Sequence, residues 1–157
     1  MLDCFILRTN IIAINESVRK AVNVILPIAR DTLKRDGSHF PTAVLHTMNG
    51  AIPVLMTFQD IAQRKKQVEH VKSMALEENA YAVSAITCAK VVDCRSSLTE
   101  EALVIATTIR GSIPYVVTQS FTRDVNGNVA YFRDPVEGDE AFMIGQMMIF
   151  PDWDSNN

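Results

Sequence analysis

Two Asn-Gly pairs, Asn49-Gly50 and Asn126-Gly127, constrain this chain more than any other feature. Each sits between runs rich in Val, Ile, Leu, Ala and Thr. An Asn-Gly dipeptide supplies the positive φ that a tight hairpin turn demands, so each pair predicts two antiparallel strands joined by a short loop. A chain with two such turns folds around an antiparallel sheet.

Residues 41–58 read as the first hairpin. With Asn49-Gly50 as a two-residue loop, Thr47 faces Ile52, Leu45 faces Val54 and Ala43 faces Met56. That face is apolar and predicts the core side. Val44, His46 and Leu55 fall on the opposite face. Pro53 stands opposite His46 in this register and donates no ladder hydrogen bond, which marks the second strand as a sheet edge or the loop as longer.

Helical periodicity brackets the hairpin. Val18, Val22, Ile25, Ala29 and Leu33 recur at spacings of three and four, predicting a helix over 15–36 with Asn15 as N-cap and Gly37 as its stop. Pro27 predicts a kink, or a junction of two shorter helices. Residues 2–14 are apolar and fit either an extension of this helix or a short strand. Ile61, Val68, Val71 and Ala75 predict a second helix over 59–79, with Arg64, Lys65 and Lys66 on its solvated side.

The remainder reads as strands: 81–94, 102–109, 113–124 and 129–133, then an acidic loop over 134–140. A Met-rich apolar run over 142–150 fits a last strand. The expected architecture is one α+β domain over 1–150, in the order α-β-β-α-β-β-β(-β), with a frayed tail at 151–157. Its antiparallel sheet is covered by two main helices, both expected on one face.

The matching pieces Phe40-Pro41-Thr42-Ala43-Val44-Leu45-His46, Ala80-Tyr81-Ala82-Val83-Ser84-Ala85 and Glu101-Ala102-Leu103-Val104 running to Asp124 give His39 to Arg133 a wider likeness. This stretch resembles a widespread group of small bacterial proteins of unknown function, found on chromosomes and in mobile elements. The order of elements is also similar to a roadblock or profilin-type arrangement, a fold used for dimerisation and docking. The resemblance implies no activity, and fold alone does not give function.

Composition narrows the function classes. The net charge is −3, from 15 Lys and Arg against 18 Asp and Glu. Residues 1–80 carry ten basic against eight acidic side chains, and residues 81–157 five against ten. Such a dipolar, acidic chain does not fit a nucleic-acid binder. Three scattered cysteines, Cys4, Cys88 and Cys94, form no C-x-x-C pair and point to a reducing compartment. Asp3 and Arg8 interrupt the start where a signal peptide needs an apolar run. The expectation is a soluble cytoplasmic protein, with no membrane partner.

Chemistry-bearing motifs are sparse. Cys88 and Cys94 point the same way on one strand but lie about 20 Å apart, too far to share a site. Cys94 or Cys88 as nucleophile, with Asp93 and a histidine such as His46, makes a small hydrolase or transferase the alternative reading. The histidines His39, His46 and His70 lack ligand spacing, so no metal site is expected. The six glycines are isolated and form no phosphate cradle, so no cofactor is expected. The acidic pairs Glu77-Glu78 and Glu100-Glu101 read as solvated surface.

The main functional reading is a protein–protein interaction or homodimerising module without catalytic activity. Its interaction residues are Val44, His46 and Leu55 on the second sheet face, with Trp153 in the tail; that face needs a cover, either from the first helix or the tail, or from another chain. A third reading is a mobile-element protein that binds a host factor.

Overall fold

A computed structural model describes residues 2–92, 99–138, 149 and 151–153; for 2–13, 91 and 92 it describes the backbone alone. The element order is α1 (Leu2–Asp36), β1 (Thr42–Thr47), β2 (Gly50–Leu55), α2 (Ile61–Glu77), β3 (Ala82–Val92), β4 (Thr99–Ile109), β5 (Tyr115–Arg123), β6 (Val129–Phe132) and β7 (Val136–Gly138). This is the expected α+β class. No helix of the described residues is long and apolar enough to cross a membrane.

α1 is one helix of 35 residues. The apolar segment before Asn15 continues it rather than forming a strand, because no Gly or Pro interrupts the run between Leu2 and Ser17. Asn15 is therefore an interior residue and not the N-cap, and its Oδ1 is buried without a hydrogen-bond partner among the described residues. Pro27 does not end the helix. It lies on the solvated side, where the Asn23 carbonyl that its ring leaves unpaired can meet water. Gly37 stops the helix at φ +74°, its N–H donating to Leu33 O at 2.8 Å.

The sheet order is β2-β1-β3-β4-β5-β6, with β7 also pairing β5. β2 and β3 flank β1, both antiparallel to it. They therefore run parallel to each other, and the chain must cross over β1 between them. α2 is that crossover. Asp60 caps it by accepting from Gln63 N–H at 2.8 Å, and the Gln63 side chain accepts in turn from Gln59 N–H.

The crossover decides which helix covers which face. Val18, Val22, Leu26, Ala29 and Leu33 of α1 pack on Val44, Ala82, Ile86, Leu103, Ile105, Val117 and Phe121. Val71 and Ala75 of α2 pack on Ala43, Leu45, Val83 and Ala85. Neighbouring residues of one strand point to opposite faces, so the helices lie on opposite sides of the sheet. This corrects the expectation of two helices on one face.

α1 runs along β5. Its Arg19 guanidinium lies 5.1 Å from the Tyr115 ring centroid, and Arg123 Nη2 donates to Gly37 O at 3.0 Å. Arg19 to Gly37 along a helix and Tyr115 to Arg123 along a strand both span about 27 Å. At the far end Arg123 also holds Glu101 through Nε at 2.8 Å and Nη2 at 3.3 Å, and Gly127 O through Nη1 at 3.0 Å.

The hairpin register differs from the expected one by two residues. Thr47 pairs with Gly50, Leu45 with Ile52 and Ala43 with Val54. Met48 and Asn49 form the loop. Asn49 does not take the positive φ of a type I′ turn; Gly50 does, at +125°. A slip of two preserves which face each side chain takes, so Ala43, Leu45, Ile52 and Val54 still share one apolar face. Pro53 stands opposite Val44 instead of His46.

Two further corrections lie near the C-terminus. The acidic loop expected over 134–140 contains β7, which pairs Val136 with Thr118. Trp153, expected in a frayed tail, is half-buried and donates its indole N–H to Ala80 O at 3.2 Å. The Met-rich run over 142–150, Ile149 apart, lies outside the described residues.

Candidate functional site

β1 carries His46 into the interior. The ring is 2% exposed, on the sheet face that α1 packs against, and its Nε2 lies 2.8 Å from Ser84 Oγ. Ser84 Oγ lies in turn 2.7 Å from Thr107 Oγ1. The three side chains form a polar line across β1, β3 and β4, tucked into an apolar layer. Burial pushes the imidazole down to about 4, so the ring is neutral at physiological pH. A nucleophile needs open access to its substrate; Ser84 is fully buried. The arrangement satisfies buried polar groups. Sequence reasoning passed over Ser84 and Thr107, although a hydroxyl set in the apolar run Ala82 to Ile86 signals a buried partner.

Cys88 lies on β3 at the surface. Its thiol is pushed up chiefly by partial burial, against the lowering effect of a hydrogen bond to the His39 backbone; Glu101 raises it and Arg123 lowers it. An activated nucleophile shows the opposite shift. His46 is on β1 with Ser84 as its partner, not a cysteine. Asp93 and Cys94 lie outside the described residues. His39 bonds the neighbouring Phe40 carbonyl at 2.8 Å, and His70 is exposed on α2. Among the described residues no three His, Cys, Asp or Glu side chains gather to hold a metal.

Of the interaction residues read from the sequence, Val44 and His46 are buried inside the chain. Neither is available to another molecule. Leu55 is 61% exposed. Trp153 lines a cleft of about 360 Å³ with Thr108, Ile109, Ile113 and Pro114.

Leu55 belongs to a larger feature that the sequence did not show. Burial on this face stops at β1. Ala51, Pro53 and Leu55 of β2 stand opposite His46, Val44 and Thr42 and share their face, yet all three are exposed. They form an apolar row along the sheet margin. Phe40, 64% exposed, follows at its end. Beside it opens a cleft of about 330 Å³ lined by Phe40, Pro41, Met56, Thr57, Phe58, Gln59 and Gln63. The site therefore offers apolar surface with two amide side chains at its border, suited to holding an apolar segment by shape and burial.

The backbone of this margin is closed to strand addition. Met56 N–H donates to Pro41 O at 2.9 Å, so in the alternating antiparallel ladder Ala43–Val54, Leu45–Ile52 and Thr47–Gly50 are the bonded pairs. Ala51, Pro53 and Leu55 aim their backbone groups outward, and the central one has no N–H to offer. The opposite edge is divided into β6 and β7, with Pro135 between them. A partner at the β2 margin is held by side chains and not by a shared ladder.

Comparison with models of known protein families, with curated proteins and with solved structures finds no match for this chain.

Proposed function

We propose that the protein is a recognition module that binds another protein through the apolar margin of β2. The observation that carries this reading is the row Ala51, Pro53 and Leu55, left uncovered by α1 and continued by Phe40 beside a cleft of about 330 Å³. Burying a side chain such as Leu55 or Phe40 against a partner is worth about 1.5–3 kcal/mol each, enough for two anchors to dominate a modest interface. The Gln59 and Gln63 amides border the cleft and select for a partner with backbone polar groups nearby.

The test is selection of short displayed peptides on the immobilised protein. Peptides with two or more apolar anchors should be enriched, and they should lose binding to Leu55→Asp and to Phe40→Ser. Enrichment of no sequence class, or peptides indifferent to both substitutions, would overturn the reading.

A further inference from the structure

We propose that two copies of the chain associate through the outward face of α1, with the two helices antiparallel about a twofold axis near residues 25 and 26. Val24 and Ile28 are 64% and 62% exposed, one turn apart, on the side of α1 opposite Val22, Ala29 and Leu33. This exposed apolar pair, in the middle of a helix that already buries its other face, is a stripe that a second helix can cover.

The charges beside this pair name the occupant. At about 100° per residue, Glu16, Lys20, Asp31 and Lys34 fall along one flank of the Val24–Ile28 stripe. Their order is acid, base, apolar pair, acid, base. Turning the helix end for end about its midpoint sets Lys20 against the second copy's Asp31, and Glu16 against the second copy's Lys34, each twice by symmetry. Val24 then meets Ile28 across the axis. A parallel pairing would carry this flank to opposite sides of the seam and leave Lys20 and Asp31 without an opposite charge at their own height, so the charge order favours the antiparallel one. No ion pair among the described residues engages Glu16, Lys20, Asp31 or Lys34; the Lys34 ammonium lies 6.0 Å from the Phe132 ring centroid, so Lys20 and Asp31 carry the match. Among the described residues, Pro53 and Pro135 disfavour self-association through strand pairing at the two sheet edges.

A contact between two helices over about five turns is at the small end of stable interfaces, so the dimer should dissociate in the micromolar range. Sedimentation equilibrium over a wide concentration range at low salt reads it directly against the chain mass of 17.5 kDa. The wild type should reach twice that mass. Lys20→Glu and Asp31→Lys should each raise Kd about tenfold, since each turns two attractions into repulsions. The double variant Lys20→Glu, Asp31→Lys should return to within about twofold of the wild type. Ile28→Glu should give a monomer with unchanged far-ultraviolet circular dichroism. A wild type that stays monomeric, or single variants without effect, or a double variant no tighter than the singles, would overturn the proposal. Leu55→Asp should leave the mass unchanged, which separates this surface from the β2 margin.

Discussion

Pro53 stands opposite Val44 in the β1–β2 ladder, in a pair that exchanges no backbone hydrogen bonds. The missing N–H therefore costs the sheet nothing inside, and its absence is felt only at the free edge. Pro53→Val restores an outward donor between Ala51 and Leu55. Stability by urea unfolding should change by less than about 1 kcal/mol. Light scattering at rising concentration should show new association, because the repaired edge can pair with another strand. Unchanged association with an intact fold would contradict this role of the proline.

His46 makes stability depend on pH. Its folded value, pushed down to about 4 by burial, lies below the ordinary 6.5 of an exposed imidazole. The unfolded chain takes up the proton first, so stability is full above pH 6.5 and falls as pH drops from 6.5 toward 4. The loss reaches on the order of 3 kcal/mol at the lower end. His46→Gln keeps an amide donor near Ser84 and cannot titrate. Urea unfolding curves for the two proteins should diverge between pH 6.5 and 4.5, with the wild type falling faster. Parallel curves would contradict the assignment.

Arg123 is the knot between α1, β4 and the β5–β6 turn. It reaches Gly37 O, Gly127 O and both Glu101 oxygens at once. Its side chain is about 29% exposed. Arg123→Ala should lower unfolding stability by about 1–3 kcal/mol. Arg123→Lys should recover less than half of that, since one ammonium cannot span the guanidinium fork. A loss below about 0.5 kcal/mol would show the knot to be dispensable.

Cys88 tests the alternative of thiol chemistry. With its thiol raised by burial, alkylation by iodoacetamide in the native state should be slow at pH 7. The rate should climb only above the range of an ordinary exposed thiol. Fast modification at neutral pH would reopen a nucleophilic role for this residue.

Much of the fold was legible because local rules and burial agreed. The stripe Val18 to Leu33, the Gly37 stop and the alternation of β1 all had one consistent reading. The parts that escaped were decided by tertiary geometry. The register around Asn49 depended on whether Asn49 or Gly50 alone took positive φ, and both satisfy the same apolar pattern. The face covered by α2 followed from the crossover over β1, which no single segment reveals. The candidate site was half visible. Leu55 was exposed by its place on an edge strand, but Val44 and His46 share its face and are buried, because burial on that face ends at β1, one strand short of the margin. Ser84 and Thr107 were hidden by their ordinary β propensity.

The most direct test of the β2 margin as a recognition surface is photo-crosslinking in the source cell. A crosslinking amino acid placed at position 55 should capture a discrete protein adduct on irradiation, while the same group at position 66, on the exposed side of α2, should not. The Phe40→Ser substitution should suppress the adduct at 55. Adducts of equal yield at both positions, or none at 55, would contradict the account.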